Sequence, residues 1–206
     1  ESLDMTGRHD FSGKVVIVTG AGRGIGRAVA LGFAKANANV VIADIDKENA
    51  GKTLAEVEKE GVRGLSLGVD VAKSESVASM VRTVMKEFGR VDILVNNAGI
   101  VNRGDIFSLS EEEWDRLMAV NLKGVWLCSR EVLREMARQR SGRVINIGSI
   151  SGKLGGHEVG ADYAASKAGV GVLTKRMANE MAGKGITVNS VAPHAIETLM
   201  TEEHGE

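Results

Sequence analysis

The sequence contains a single tyrosine, Tyr163, which is followed four positions later by Lys167. Residues at i and i+4 share one face of a helix, so the phenol and the ammonium group can lie together. An unperturbed tyrosine has a pKa of about 10, which is too high for efficient proton transfer at neutral pH. A nearby ammonium group favours the phenolate and lowers that pKa. The pair could therefore act as acid and base, although a Tyr-x-x-x-Lys pair on its own usually occurs by chance on a protein surface.

A glycine-rich stretch follows the first apolar segment and opens a predicted helix. It reads TGAGRGIG and contains Gly20, Gly22, Gly24 and Gly26. Such a loop lets backbone N–H groups approach a pyrophosphate, and the helix N-terminus favours its negative charge. A tight strand-to-helix turn is the alternative explanation. The predicted strand before it, the helix after it and an acid at the end of the next strand together favour nucleotide binding.

That acid is Asp44, which ends the second predicted strand. A carboxylate at this place can accept hydrogen bonds from both hydroxyls of the adenosine ribose. It would repel a 2′-phosphate at about 4 Å by roughly 4 kcal/mol at an effective dielectric constant of about 20. Arg23 could partly neutralise such a phosphate, and it is equally well explained as a solvated loop residue. The balance predicts NAD, with NADP as the less favoured cofactor.

Short apolar segments alternate with longer segments of helical periodicity along the chain. The predicted strands are 14–19, 39–44, 63–70, 90–97, 142–149 and 185–193. The predicted helices are 24–37, 47–60, 74–88, 110–138 with a break near Gly124, and 162–183. Near-continuous apolar strands separated by helices predict a parallel sheet covered on both faces. We therefore predict one doubly wound, Rossmann-like α/β domain over residues 1–206, with residues 1–12 as an N-terminal extension.

The composition is that of a soluble globular protein, with 43% hydrophobic and 26% charged residues. A net charge of −1 gives no general attraction to nucleic acid or to an anionic membrane. The apolar segments are much shorter than the roughly 20 residues of a membrane span. The single cysteine, Cys128, cannot form an internal disulfide, and the four histidines lack metal-ligand spacing. These features predict a cytoplasmic protein with no nucleic-acid partner, no membrane partner and no catalytic metal.

Five motifs occur together in one order: TGAGRGIG at 19–26, NNAG at 96–99, Asn121 in VNLKG, Ser149, and Tyr163-Ala-Ala-Ser-Lys167. On these residues the sequence resembles the short-chain dehydrogenase/reductase family. Within that family, the overall sequence is similar to 3-oxoacyl-carrier-protein reductases and polyol dehydrogenases. The resemblance covers nearly the whole sequence. It implies a doubly wound fold and hydride transfer between a nicotinamide and a substrate carbon.

The resemblance implies a catalytic set of four residues. Ser149 would orient the substrate carbonyl or hydroxyl group, and Tyr163 would exchange its proton. Lys167 would hydrogen-bond the nicotinamide ribose, and Asn121 would hold a water in a relay beyond the lysine.

The resemblance also implies which residues contact the cofactor. Asp70 and Val71 match the pair that holds the adenine, and the segment 97–99 matches the one that lines the cofactor. Ile196 and Thr198 keep their places for contacts with the carboxamide and the phosphate. The full implied set is Gly20, Arg23, Gly24, Ile25, Gly26, Asp44, Asp70, Val71, Asn97, Ala98, Gly99, Tyr163, Lys167, Ile196 and Thr198.

Some features depart from the family pattern. His194 stands where a glycine usually follows the proline, and it either tunes the substrate site or is a tolerated turn residue. His157 and Glu158 are candidate substrate contacts. Beyond the sixth strand, the family continues with a helical flap over the substrate, another helix and a seventh strand. We expect the flap and the seventh strand to be absent from these 206 residues.

These expectations leave three functions open. The first is an NAD-dependent oxidoreductase acting on a secondary alcohol or ketone, such as a polyol or sugar derivative. The second is a 3-oxoacyl-carrier-protein reductase, an enzyme class that usually prefers NADPH, with Arg140 and Lys184 in a basic docking surface. The third is a catalytically silent nucleotide-binding regulator, against which the complete catalytic set argues.

The resemblance also implies a homotetramer, because family members commonly associate through two long helices. Those helices correspond to about 112–138 and 162–183 in this chain. Their apolar residues permit such an interface, and they can equally pack on their own sheet: Val125, Trp126, Leu127, Val170, Val172 and Leu173.

Overall fold

Six parallel strands form one sheet in the computed structural model, which describes residues 9–156 and 159–194. The strands are β1 (Val15–Thr19), β2 (Asn39–Asp44), β3 (Gly64–Gly68), β4 (Ile93–Asn96), β5 (Gly142–Ile147) and β6 (Ile186–Val191). Their order across the sheet is β3-β2-β1-β4-β5-β6. The chain builds outward from β1 to β3 and then returns to add β4 to β6 on the other side. This topology confirms the predicted doubly wound parallel sheet.

Helices connect the strands on both faces of the sheet. They are α1 (Gly24–Lys35), α2 (Lys47–Lys59), α3 (Ser74–Phe88), α4 (Glu111–Met118), α5 (Gly124–Gln139), α6 (Ser151–Leu154) and α7 (Ala161–Met181). A π-helical turn (Ala119–Lys123) joins α4 to α5 where a break was predicted. The four-residue helix α6 was not predicted. In the part of the chain that the structure describes, no helix has the length and apolar character needed to cross a membrane.

The hydrophobic core has one layer on each side of the sheet, because the side chains of each strand alternate between its two faces. Along β1, Val15 and Ile17 pack in the layer beneath α3 and α5, whereas Val16 and Val18 pack in the layer beneath α1 and α2. All four side chains are buried. The continuous apolar run of β1 thus follows from a strand that is covered on both faces.

A chain of buried polar side chains, here called the asparagine ladder, crosses the second half of the sheet. Asn96 at the end of β4 is in register with Asn146 of β5. The Asn96 Nδ2 atom donates to Ser129 Oγ at 2.9 Å and to Asn146 Oδ1 at 2.8 Å. Asn146 Nδ2 in turn donates to Thr174 Oγ1 at 2.8 Å. The ladder therefore links α5, β4, β5 and α7 directly below the carboxyl edge of the sheet.

Candidate active site

The glycine loop between β1 and α1 is shaped by close approaches that leave no room for side chains. A Cβ atom on Gly20 would lie 2.8 Å from Ala98 Cα, and one on Gly26 would collide with the carbonyl oxygen of Gly20. Gly20 and Gly24 have φ angles of 63° and 54°, which favour glycine. A Cβ atom on Gly24 would meet no atom within 4 Å. The loop is thus tight against the protein on one side and open at the start of α1.

The amino end of α1 is prepared for an anion. Arg23 occupies the cap position without forming a side-chain cap hydrogen bond, and the first turn, which includes Ile25, holds no acidic residue. By contrast, α2 is capped by Asp46, whose carboxylate accepts the N–H groups of Glu48 and Asn49. The first N–H groups of α1 and the positive end of its dipole therefore fit a phosphate group.

Asp44 at the end of β2 contacts this same loop. Its Oδ2 atom accepts the N–H of Gly22 at 2.8 Å, and its Oδ1 atom accepts the N–H of Asp46 at 2.9 Å. A Cβ atom on Gly22 would lie 2.9 Å from Asp44 Oδ2. Arg23 is exposed and forms no salt bridge with any described residue. The carboxylate is consequently held against the glycine loop, and its contact with a ribose stays a prediction.

The segment after β4 is fastened to the end of β1 by Thr19, which is buried. Thr19 Oγ1 accepts the N–H groups of Asn97 and Ala98 at 3.0 and 3.1 Å. Asn97 Nδ2 donates to the carbonyl oxygens of Thr19 and Gly20 at 2.9 and 3.0 Å. Asn97 and Ala98 therefore shape the glycine loop from below. The sequence analysis missed Thr19, although a polar residue at the end of an apolar strand was the available signal.

The remaining predicted cofactor residues divide into two groups. Asp70 and Val71 follow β3, and Val71 packs so closely on Gly124 that a Cβ atom there would lie 2.9 Å from Val71 Cγ2. Asp70 is half-buried and accepts the N–H of Ala72 at 3.0 Å. The other group, Ile196 and Thr198 together with the substrate candidates His157 and Glu158, lies outside the described residues.

The predicted catalytic groups lie together at the carboxyl end of β5. Ser149 follows this strand, and its hydroxyl group lies close enough to Tyr163 on α7 to lower the pKa of the phenol. Lys167 Nζ lies 5.7 Å from the centroid of the Tyr163 ring and donates to the carbonyl oxygen of Ile147 at 2.7 Å. Ser151, the serine that the sequence analysis did not favour, donates its N–H to Ser149 Oγ at 3.1 Å. The structure thus brings three of the four predicted residues into one cluster.

Burial dominates the protonation of the two titratable groups in this cluster. Burial raises the pKa of Tyr163, and the hydrogen bond with Ser149 offsets part of that rise. Burial also lowers the pKa of Lys167 to about 8. The sequence led us to expect a net lowering of the tyrosine pKa by Lys167. That expectation is wrong for this structure, because desolvation of the phenol outweighs the opposing interactions.

Asn121 is fully buried in the π-helical turn and reaches the cluster indirectly. Its Oδ1 atom accepts the N–H of Ile100 at 2.9 Å, and its Nδ2 atom donates to the carbonyl oxygen of Ile100 at 2.8 Å. Nδ2 also lies 3.4 Å from Ser166 Oγ, which donates to the Tyr163 carbonyl oxygen at 2.7 Å. Both amide hydrogens are thus used within the protein, so only the second lone pair of Oδ1 is left for a water.

His194, the departure from the family pattern, lies at the edge of this cluster. It is exposed and directly follows Pro193. The Pro193 carbonyl oxygen accepts the N–H of Ile150 at 3.1 Å, next to Ser149. The structure therefore places the backbone of this turn beside the segment that carries Ser149.

The comparison with protein families matches this geometry to a known group. The family model described as short chain dehydrogenase matches residues 14–206. The chain belongs to the short-chain dehydrogenase/reductase family. It is therefore an oxidoreductase of the kind that uses a nicotinamide cofactor. The glycine loop, the uncapped start of α1 and the Ser149–Tyr163–Lys167 cluster are the parts of this chain that fit such a group.

Individual relatives agree with this assignment. The chain is 44% identical over 189 residues to a 3-oxoacyl-[acyl-carrier-protein] reductase of Staphylococcus epidermidis, which covers 91% of this chain and 77% of the relative. It is 42% identical over 193 residues to the enzyme of the same name from Thermotoga maritima, with 94% and 78% covered. Among solved structures, an NAD⁺-bound xylitol dehydrogenase superposes with a TM-score of 0.87 at 34% identity, covering 89% of this chain and 71% of the other.

Proposed function

We propose that this short-chain dehydrogenase reduces the ketone of a 3-oxoacyl thioester to a hydroxyl group. The observation that carries the proposal is the Ser149–Tyr163–Lys167 cluster, a hydrogen-bonding hydroxyl and a phenol at the end of β5. The names of the curated relatives support the acyl substrate over the polyol that we first expected from the sequence.

The residues of the cluster suit a reduction. Ser149 can donate a hydrogen bond to the substrate ketone oxygen, which orients it toward the phenol. Because burial raises the pKa of Tyr163, the phenol stays protonated at neutral pH and can give its proton to that oxygen. Lys167, with a pKa lowered to about 8, can exchange protons near neutral pH and stabilise the phenolate that remains. The bound nicotinamide supplies the hydride for this chemistry.

For the cofactor, we propose NADH, and the support is the position of Asp44. Its carboxylate is fixed by two backbone N–H groups, that of Gly22 in the glycine loop and that of Asp46. A 2′-phosphate near it would be repelled, whereas ribose hydroxyls could donate to it. NADPH remains the competing cofactor, because the sequence resemblance to 3-oxoacyl-carrier-protein reductases favours it and Arg23 lies in the same loop.

An exchange of Asp44 tests the cofactor proposal. Asp44→Ala should raise the ratio of kcat/KM for NADPH over NADH at least tenfold, because the repulsion of the 2′-phosphate is removed. Arg23→Ala is the matched variant, and it should lower only the NADPH value if the arginine contacts that phosphate. A native protein that already prefers NADPH by more than tenfold would show that the NADH proposal is wrong.

A substrate panel tests the reaction itself. Initial rates should be measured with 3-oxoacyl thioesters of coenzyme A and of acyl-carrier protein, and with polyols and secondary alcohols, each with both cofactors. We expect turnover of the thioesters and its loss in Tyr163→Phe. Turnover restricted to the alcohols would overturn the substrate proposal and leave the oxidoreductase assignment intact. An unchanged biological activity in Tyr163→Phe would favour the silent regulator instead.

A secondary-alcohol or polyol dehydrogenase that uses NAD⁺ is the second candidate. Two observations favour it, the placement of Asp44 and the similarity to the NAD⁺-bound xylitol dehydrogenase. A further observation concerns Arg140 and Lys184, which are both exposed. They lie in adjacent turns, as shown by the close approach of Gly185 to the Arg140 carbonyl oxygen, with which a Cβ atom on Gly185 would collide. These turns precede β5 and β6, so they lie at the sheet edge opposite Tyr163. A carrier protein docked there could not easily reach the cluster of the same subunit.

We also propose that the chain forms a homotetramer through α5 and α7 and works in the cytoplasm. Val125, Leu127 and Val170 are buried within the chain, whereas Trp126 and Val172 keep 43% and 68% of their surface exposed. The two exposed apolar residues support a contact between copies. Light scattering should give four times the mass of one chain, and charged substitutions at both positions should reduce it.

A further inference from the structure

Asp162 is a buried carboxylate beside the catalytic tyrosine, and neither the sequence analysis nor the proposed mechanism gives it a role. Its side chain has no exposed surface. A buried carboxylate is costly unless hydrogen bonds compensate for its lost hydration. Asp162 Oδ1 accepts the N–H of Tyr163 at 2.7 Å, and Asp162 Oδ2 accepts from Asn102 Nδ2 at 2.7 Å. The carboxylate therefore depends on the loop after β4 for one of these two bonds.

Asn102 binds the start of α7 at two points. Besides its side-chain bond to Asp162, its carbonyl oxygen accepts the N–H of Gly160 at 2.7 Å. The contact is close on both sides, because a Cβ atom on Gly160 would lie 2.5 Å from Asp162 Oδ1 and 3.2 Å from the Asn102 carbonyl oxygen. A weaker bond joins Asn102 Nδ2 to the Glu113 carbonyl oxygen at 3.3 Å. Asn102 thus holds the turn that immediately precedes Tyr163 by two hydrogen bonds.

The same loop segment is held at its other end by the site. Ile100 exchanges two hydrogen bonds with the side chain of Asn121, at 2.9 and 2.8 Å. Residues 100–102 therefore form a short bridge from the buried amide of Asn121 to the carboxylate of Asp162. Every bond along this bridge lies at the carboxyl edge of the sheet, and none involves the glycine loop or Asp44.

We propose that Asn102 and Asp162 form a positioning pair that fixes the first turn of α7 and thereby the phenol of Tyr163 against Ser149. The inference rests on the role proposed above for Tyr163. Loss of the Asn102 amide would leave a buried carboxylate with one hydrogen bond, so the first turn of α7 should rearrange. A displacement of about 1 Å at a reacting group costs roughly 100-fold in rate. The adenosine half of the cofactor would bind at the glycine loop and Asp44, away from this pair, so KM for NADH should change little.

The test uses three variants of the whole chain and one control. Asn102→Ala removes the donor, and Asn102→Asp sets a second carboxylate against that of Asp162, so each of these variants breaks the pair. The double variant Asn102→Asp/Asp162→Asn restores it with the roles exchanged, because the amide at position 162 can donate to the carboxylate at position 102 and still accept the Tyr163 N–H. Asp115→Asn makes the same chemical change on an exposed residue of α4.

We expect each single variant to lower kcat at least tenfold while KM for NADH stays within about twofold. The double variant should recover most of the lost kcat, and Asp115→Asn should match the parent. Full activity in both single variants, or no recovery in the double variant when it is folded, would overturn the proposal.

A second readout does not depend on turnover. Because Tyr163 is the only tyrosine of the chain, ¹³C labelling of tyrosine gives one ring signal that reports its environment directly. The signal and its pH titration should change in both single variants and return toward the parent in the double variant. If no substrate of the panel is turned over, this signal still decides the proposal, since an unchanged signal in the single variants would refute it.

Discussion

Replacing Gly152 with alanine should displace the cluster of Ser149, Tyr163 and Lys167 through a single added methyl group. Gly152 lies on α6 where this short helix crosses α7. A Cβ atom there would lie 2.7 Å from both Ala168 N and Lys167 C, and 3.0 Å from the Lys167 carbonyl oxygen. Ordinary van der Waals contact begins at 3.4 Å, so the two backbones must separate by about 0.7 Å. Both partners are backbone atoms of a helix and cannot give way as a flexible side chain would.

The size of the effect follows from that displacement. Overpacking of this kind costs about 1–3 kcal/mol of stability. The displacement lies between Ser149, three residues before Gly152, and Lys167, so it should lengthen the contacts around the phenol of Tyr163. Since about 1 Å of misplacement costs roughly 100-fold, a shift of about 0.7 Å should lower kcat by about tenfold or more.

The matched control is Gly171→Ala on α7, where a Cβ atom would meet nothing within 4 Å. This change should stabilise the protein by about 0.5–1 kcal/mol, because alanine is the better helix former, and it should leave kcat unchanged. Urea unfolding and initial rates on both variants provide the measurement. The reasoning about α6 and α7 is refuted if Gly152→Ala unfolds at the same urea concentration as the parent and retains its kcat.

Two further predictions concern pH. Ser149→Ala removes the hydrogen bond that lowers the pKa of Tyr163, so this pKa should rise, and the pH above which alcohol oxidation becomes fast should rise with it; an unchanged pH–rate profile would show that the bond does not govern the phenol. Burial lowers the pKa of Lys167 to about 8 from its ordinary value of 10.5. Between these two pH values the unfolded chain binds the extra proton, so the stability contributed by this residue should rise with pH. Lys167→Met should remove that rise in stability when urea unfolding is measured from pH 8 to 10. Both proteins should also carry Cys128→Ala. Burial raises the pKa of this thiol to about 12, which makes stability fall with pH and would hide the contribution of Lys167.

The sequence predicted the fold because each local pattern had a single dominant cause. The strands lie between two layers of helices, so Val15 to Val18 of the first strand form an unbroken apolar run that is easily recognised. The capped helix start at Ser110 was predicted from its glutamates, and the structure forms both bonds of the capping box with Glu113. Predicted strands were longer than the observed ones at 63–70, 90–97, 142–149 and 185–193. At the first two, Val69 and Val91 are buried apolar residues beside the strand that do not belong to it.

The parts of the site that were not predicted depend on contacts between distant residues. Asn102 and Asp162 are separated by 60 positions, and neither residue type indicates its partner. The π-helical turn around Asn121 was interpreted as a break in the helix. A π-helical turn contains one residue more than an α-helical turn, and this shifts the apolar pattern in the same way as a short interruption would. The sign of the tyrosine pKa shift was missed for a related reason, since burial of the phenol depends on how α6, α7 and β5 pack together.

The asparagine ladder has a consequence for how the chain selects its native strand pairing. Sliding β5 by one residue against β4 would turn Asn146 to the other face of the sheet and leave the Asn96 amide facing an apolar side chain. Such a slip would move Ser149 by about 3.3 Å relative to the segment that begins at Asn97. The two buried amides thus penalise misaligned folding intermediates, and they keep Ser149 at a fixed distance from the segment that begins at Asn97.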